Sequence, residues 1–314
     1  MANRGVVIGI TTVEQMLEMT EIAEHSKVYD WVWVGDSLFA KPRLEAIALL
    51  SAVAARTKRL RMGPACMASM ALRNPIVLAY QWASLDLISG GRTVLVACTG
   101  LGSADAQGKE ALAFGMERRD RAPRMEEQIE ILKRLWTEDH VSYNGKYYSF
   151  EDVTIEPKPA QKPRPPIWTA HAHRGMPKLI ERARRRTARL ADGYMAAMGH
   201  PAQYRETLTA IQGHMKEYGR DPGTLDTALY YNININENRQ FAFEESTKFL
   251  NAYYMTNFKP EAVESWLAYG TPEQCIARLR EYKEIGIGMI TMRLTSWDQM
   301  GQLKRCIEEV LPYV

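Results

Sequence analysis

The chain has 314 residues, 46% of them apolar and 25% charged, the balance of a soluble globular protein and a length ordinary for one α/β barrel. Forty basic against 37 acidic residues leave a formal charge of +3; with no basic arm or zinc-finger spacing, this argues against nucleic acid. No apolar run approaches the roughly 20 residues that a bilayer span requires.

The N-terminus, MANRGVVIGI, runs directly into a strand at Gly5–Ile10. It has no apolar stretch followed by a cleavage site, so a cytoplasmic protein is expected. A helix is predicted from Val13 to about Ser26, and WVWV (Trp31–Val34) forms the next strand, ending at Gly35-Asp36-Ser37. Leu44–Arg56 has helical spacing and Leu60–Met67 is a third strand. Asn74-Pro75 opens a helix with proline where its missing N–H costs least. That helix ends at Gly90-Gly91, and Thr93–Cys98 is a fourth strand leaving through Cys98-Thr99-Gly100. This exit reads as a phosphate cradle, a nucleophile site or a tight turn out of a sheet.

The segment 101–166 interrupts the rhythm. It holds one long helix, about Arg121 to Trp136, and then VSYNGKYYSF, whose Asn144-Gly145 is a hairpin signal. The proline-rich EPKPAQKPRPP reads as an extended approach to strand five, Pro166–Ala170, in preference to a domain linker. A basic helix follows to Leu190, then strand six (YMAAM), a helix over 202–218, strand seven (TALYYNININ), two helical stretches, strand eight (Met289–Leu294) and a last helix.

Strands alternating with helices of ten or more residues imply βαβ units and a parallel sheet. Eight of them fit a single (β/α)8 barrel over residues 1–314, with a helix-plus-hairpin insertion after strand four and a helical insertion after strand seven. An open doubly wound sheet fits less well, because GLGSAD has Asp105 where GxGxxG needs its third glycine. In a barrel the strand C-termini share one face, where chemistry sits. That face collects Thr11, Asp36-Ser37, Ala65-Cys66-Met67, Cys98-Thr99-Gly100, His171-Ala172-His173, Asn232, Asn234 and Arg293. The four cysteines are far apart and form no CxxC, so free thiols in a reducing compartment are expected. No metal site is expected; His171-Ala172-His173 is the nearest approach to one.

Taken in order, WVWVGDS, TKRLRMGP, ALRNPIVLAYQWASLDLISGGR, VACTGLG, NGKYYSF, EPKPAQKPRPPIWTA, ADGYM and GTPEQCIARLREYKEIGI resemble the bacterial luciferase-like family of flavin- and deazaflavin-dependent oxidoreductases. The resemblance covers nearly the whole chain. It implies a barrel with an insertion after strand four, and redox chemistry on reduced FMN or on the deazaflavin F420. It implies a non-proline cis peptide at Ala65-Cys66 behind the ring, with Met67 beside it, and it sets Cys98 on the position of a reactive cysteine. Thr99 stands where luciferase has a phosphate-holding arginine, so the phosphate must be gripped partly elsewhere, in the loop His171 through Met176. Ser37 replaces the histidine found there in luciferase and some F420 enzymes, and His173-Arg174-Gly175 replaces a double glycine. A homodimer through the helices flanking strands two to four is also implied.

Asp36, in a cleft beside a ring, fits an acid, a base or a water-orienting group; the plain alternative is a capping carboxylate or an arginine partner. Ser37 fits a ligand hydrogen bond or an N-cap. Cys98 lacks an activating base and fits an apolar wall better than a nucleophile. Arg174 and Gly175 before a helix start fit an anion site, with Met176 completing that loop. The run RARRRTARL reads as a solvated helix face, or as a steering patch for an anionic tail. Thr11, Asn232, Asn234 and Arg293 are expected to line the substrate pocket, Arg293 holding an acidic substrate or pairing with a carboxylate. Segment 236–260 is a candidate lid. The leading expectation is a monooxygenase that receives FMNH2 from a separate flavin reductase and oxygenates a small organic substrate with O2. The alternatives are F420-dependent hydride transfer and a flavin-binding protein without turnover.

Overall fold

The computed structural model describes residues 3–9, 11–39, 43–100, 104–172 and 175–314. In chain order the strands are β1 Asn3–Ile8, β2 Trp31–Asp36, β3 Arg61–Met67, β4 Leu95–Ala97, β5 Val141–Asn144, β6 Ser149–Val153, β7 Ile167–Ala172, β8 Gly193–Ala197, β9 Asp226–Ile235, β10 Leu267–Gly270 and β11 Met289–Leu294. The helices are α1 Val13–Ser26, α2 Ala46–Arg56, α3 Pro75–Ser89, α4 Ala104–Ala113, α5 Arg121–Thr137, α6 Pro177–Leu190, α7 Pro201–Glu217, α8 Arg239–Tyr254, α9 Pro260–Glu264, α10 Pro272–Glu284 and α11 Gln299–Arg305. Among the described residues no helix is long and apolar enough to cross a membrane.

Eight parallel strands close into the expected barrel, in the order β1-β2-β3-β4-β7-β8-β9-β11, with β11 returning to β1. The seams differ in strength. β1 and β11 share a register from Asn3↔Met289 to Val7↔Arg293, whereas β3 and β4 meet only at Met67↔Ala97 and at an isolated bridge, Met62↔Thr93. β9 pairs with β8 along its first half and with β10 along its second, so β10 takes over where β8 ends.

Local chemistry sets the helix ends. Asn74 Oδ1 accepts from the Ile76 and Val77 N–H groups at 2.9 and 3.2 Å, Pro75 occupies the first helical position, and Gly90 closes α3 at φ 69°. Thr271 and Gln274 form a capping box on α10.

Three indoles fill the barrel's axis. Trp31 and Trp33 stack at 5.2 Å, and Trp168 lies 5.8 and 6.0 Å from them. β2 and β7 are not sheet neighbours, so rings that touch from both strands must point inward. Room for them comes from glycine: a Cβ on Gly5 would stand 2.5 Å from Trp33 Nε1, and one on Gly193 would meet the Trp168 ring. Strand residues alternate faces, so Gly35, two residues beyond Trp33, and Ala170, two beyond Trp168, face the same interior nearer the mouth. The barrel is thus filled below and open above.

The insertion is larger than expected. Besides α5 and the hairpin it contains α4, whose ADAQGKEALA carries a glycine and little apolar periodicity. The hairpin loop spans four residues, 145–148, with Gly145 N–H donating to Tyr148 C=O at 2.9 Å, so Asn144-Gly145 is not a two-residue turn. After β9 the chain is not purely helical, since β10 breaks it. The proline-rich passage is extended, as expected, and is pinned to the barrel. Gln161 Nε2 donates to Asp86 Oδ1 at 2.7 Å and to Thr93 C=O at 2.8 Å. Segment 236–260 is mostly the packed helix α8, with Phe249 and Leu250 buried.

Candidate active site

At the end of β2, Asp36 is buried and engaged. Its carboxylate accepts from Ser69 N–H at 2.7 Å and Ser69 O–H at 3.1 Å, and Arg73 Nη2 approaches to 3.4 Å. Arg73 continues to Glu45 at 2.6 Å, and Glu45 caps α2 by accepting from Ala48 N–H at 2.8 Å. Burial pushes the Asp36 carboxyl above its ordinary range, against the Ser69 N–H, Arg73, the Ser69 hydroxyl and Arg43. This geometry matches the capping alternative, because it ties the loops after β2 and β3 to the start of α2. Ser37 is 8% exposed, and its hydroxyl has no hydrogen-bond partner among the described residues.

Sequence reading missed the clamp on these loops. Glu110 of α4 accepts from Leu38 N–H at 2.9 Å and pairs with Arg121 of α5 at 2.8 Å, both side chains 2% exposed. Arg121 also donates to Ala68 C=O at 2.5 Å. The insertion therefore braces the mouth directly. Both residues lie in a segment whose sequence shows no chemical motif.

Two expectations at β3 and β4 separate here. The Ala65-Cys66 peptide is cis, as the resemblance implies. The cysteines do not all carry free thiols: Cys66 and Cys98 form a disulfide with Cα atoms 6.0 Å apart, while Cys275 and Cys306 are free and buried. Cys98 is therefore not a thiol nucleophile in this state. The spacing rule failed because the pair is 32 residues apart and is brought together by strand adjacency. Met67 is buried, and Thr99 and Gly100 are half-buried, with Gly100 at φ 85°.

At the end of β7, the His171 ring packs tilted against Tyr194 with centroids 4.6 Å apart, and the Tyr194 hydroxyl donates to the His171 carbonyl at 3.2 Å. Ala172 ends the strand. His173 and Arg174 lie outside the described residues. Gly175 has φ 141° with open space where a Cβ would stand, and exposed Met176 precedes α6 without a side-chain cap. Pro177 at the first position of α6 has no N–H, and the Leu179 and Ile180 N–H groups donate to Met176 C=O at 2.9 and 3.1 Å, so the first turn is largely engaged within the helix. The basic run on α6 is largely neutralised: Arg184 meets Glu206, Arg185 meets Glu181 and Glu217, and Arg186 and Arg189 meet Glu126. The solvated-face reading fits it.

The strongest unforeseen feature is a pair of cations. Arg293 is 4% exposed, and its guanidinium lies 3.7 Å from the Tyr253 ring centroid and 4.8 Å from that of Tyr230. It donates to the Tyr254 hydroxyl at 2.9 Å. Arg43 lies 5.1 Å from the Tyr253 centroid on the same mouth, packs over Gly35, and leaves Nε and Nη2 buried with no hydrogen-bond partner. Among the described residues no carboxylate forms an ion pair with either arginine, so the carboxylate-pairing alternative for Arg293 does not hold. Burial, and then the charge of Arg43, hold the Arg293 guanidinium well below its ordinary range. A cavity of about 290 Å³ beside Arg43 is lined also by Gly9, Thr11, Thr12, Met16, Gly35 and Tyr253. Asn232 and Asn234 are fully buried, Asn232 Nδ2 donating to Trp266 C=O at 2.9 Å and Asn234 Nδ2 to Glu245 at 2.8 Å and Thr295 C=O at 3.0 Å, while neither Oδ1 has a partner among the described residues. They hold β10 and α8 in place.

The family model described as luciferase-like monooxygenase matches residues 3–288. The chain belongs to the luciferase-like family. Similar curated relatives include the F420-dependent glucose-6-phosphate dehydrogenase of Kineococcus radiotolerans, 26% identical over 310 residues that cover 90% of this chain and 88% of that one. The protein of the same name from Amycolatopsis mediterranei is 26% identical over 312 residues, covering 90% and 89%. Among solved structures, the F420-dependent tetrahydromethanopterin reductase of Methanopyrus kandleri superposes with TM-score 0.78 at 16% identity, covering 99% of each chain. A monooxygenase from Streptomyces bottropensis superposes with TM-score 0.77 at 22% identity, also over 99% of each. These structures share the luciferase-like barrel fold. The chain is an oxidoreductase of that family.

The Ala65-Cys66 turn and the Cys98-Thr99-Gly100 exit meet across the β3–β4 seam, joined by the disulfide. Ser37 offers an unused buried hydroxyl, whose isolation costs about 1–3 kcal/mol unless a ligand satisfies it.

Proposed function

We propose that this luciferase-like oxidoreductase uses F420 and moves a hydride between it and a small anionic substrate. This replaces the FMNH2-and-O2 monooxygenase reading as the first choice. The relatives named for F420 and for a sugar phosphate span about nine-tenths of the chain. The observation that carries the substrate class is the Arg43–Arg293 pair, two guanidinium groups at one mouth with no carboxylate in ion-pair contact among the described residues, Asp36 acting on Arg43 only at longer range. Holding two like charges there is costly unless an anion compensates them.

When bound, the deazaflavin supplies a two-electron acceptor or donor for hydride. Ala65, Cys66, Cys98, Thr99 and Gly100 would support its ring. The chain's own work is then to place the substrate. Arg43 and Arg293 grip the anion, Tyr230, Tyr253 and Tyr254 fix the guanidinium planes and keep water out, and the Ser37 hydroxyl hydrogen-bonds the ligand at the end of β2.

Fluorescence titration of the purified protein with F420, FMN and reduced FMN tests the cofactor. Tight F420 binding with weak FMN binding is expected. The loss of deazaflavin absorbance is then followed with glucose 6-phosphate, other phosphorylated or carboxylated alcohols, and their neutral counterparts. Turnover confined to the anionic set is expected. FMN binding with substrate-dependent O2 uptake would restore the monooxygenase reading, and binding without turnover would favour a non-catalytic flavin protein.

A further inference from the structure

Cys66 and Cys98 end adjacent strands at the mouth. We propose that they form a reversible dithiol–disulfide couple that controls access of the redox cofactor to the barrel. The inference rests on the cofactor wall proposed above, and it does not depend on which ring binds there.

Three observations carry it. First, the bond crosses the thinnest seam of the barrel, where β3 and β4 otherwise meet only at Met67↔Ala97 and Met62↔Thr93. Opening it frees the Cys98-Thr99-Gly100 exit from the Ala65-Cys66 turn, and those two segments are the wall. Second, the two sulfurs are not equivalent. Cys98 is 5% exposed and its Sγ accepts from Gly100 N–H at 3.3 Å, whereas Cys66 is half-buried and more accessible. An N–H donor stabilises a thiolate, which makes Cys98 the better leaving group. Third, the remaining cysteines are shielded: Cys275 and Cys306 are both buried, and burial pushes the Cys275 thiol up to about 12. Thiol chemistry is thereby confined to the mouth.

The exchange is balanced with a dithiol as reductant. Its thiolate attacks Cys66 Sγ, the Cys66–Cys98 bond breaks, and Cys98 leaves with the electron pair and takes a proton. The second thiol of the reductant then attacks the mixed disulfide, releasing Cys66 as a thiol and leaving the reductant as its own disulfide. Two electrons and two protons pass to the protein. The 6.0 Å Cα separation lies within the range that a disulfide requires, so oxidation can close the couple again.

The test counts thiols and measures binding separately. Denatured under acid quench, the oxidised protein should titrate two thiols per chain and the dithiothreitol-treated protein four. F420 and FMN affinities, read by ring fluorescence, should differ between the two forms by about tenfold or more. The double variant C66S/C98S should show one affinity whatever the reductant, while C275S keeps the response. Four thiols in protein equilibrated with a disulfide buffer, or equal affinity in both forms, overturns the proposal. If neither ring binds in either form, the cofactor assignment fails, and a thiol count of two rising to four still upholds the couple but not its control of access.

Discussion

The guanidinium of Arg293 lies 3.7 Å from the centre of the Tyr253 ring, and Arg43 stands 5.1 Å from the same centre. One tyrosine thus holds two cations at the barrel mouth, and the first prediction follows. Replacing either cation by glutamine (R293Q, R43Q) should lower kcat/KM for an anionic substrate by roughly 30- to 1000-fold, or about 2–4 kcal/mol. The loss should fall mainly on KM, with F420 affinity retained. R293Q should not be less stable than the parent, because it removes an uncompensated buried charge. Steady-state kinetics with calorimetric unfolding check both halves.

Asp36 is expected to position the site and not to exchange protons with substrate. D36A should lose about 2–3 kcal/mol of stability, leaving Ser69 N–H and Arg73 without their acceptor, while D36N should lose less. Because the folded carboxyl sits above its ordinary value, the folded state holds more protons than the unfolded one between the two values. Stability there declines as pH rises, and D36N should lack that slope. A pH profile of kcat that keeps its shape in D36N supports the positioning role; loss of a limb would make Asp36 the acid or base.

Below the barrel, Arg164 holds Asp192 through contacts of 2.6 and 2.9 Å, and Ile167 N–H donates to the same carboxylate at 2.8 Å. The carboxyl is buried, which raises its pKa, but Arg164, the Ile167 N–H and Lys133 outweigh this and hold it below the ordinary value of 3.8. Its contribution is therefore complete above that value and disappears as pH falls through the folded one. D192N should cost about 2 kcal/mol near neutrality, and the gap to the parent should narrow under acid. Urea unfolding at several pH values measures it.

Assembly has a candidate face. α3 exposes Val77, Tyr80, Leu87 and Ile88 along one side, and it flanks the strands where family resemblance implies dimer contacts. V77E/I88E should convert a dimer to monomers without loss of helix content. Sedimentation of the parent as a monomer removes that proposal.

Much of the architecture was legible because strands covered on both faces read as unbroken apolar runs, such as Trp31–Val34. Helices with clean stops, such as Asn74-Pro75 to Gly90, were legible too. α4 and β10 were not: the first carries a glycine and few apolar residues, and the second is four residues inside a stretch that looks helical. The site was half legible. Strand ends gave Asp36, Cys66, Cys98 and Arg293, but their partners lie far along the chain. Ser69 and Arg73 come 33 and 37 residues after Asp36, and Cys98 comes 32 after Cys66. Such pairings arise from how neighbouring strands align, which no local pattern encodes. Arg43 went unnoticed because it lies beyond the strand end, in a loop that the fold bends back over Gly35.

The stack of Trp31, Trp33 and Trp168 makes the barrel a cul-de-sac. Everything that enters must leave by the same door. Two ligands sharing that door at different depths would have to load the deeper one first and release it last, an order set by plumbing before any chemistry takes place.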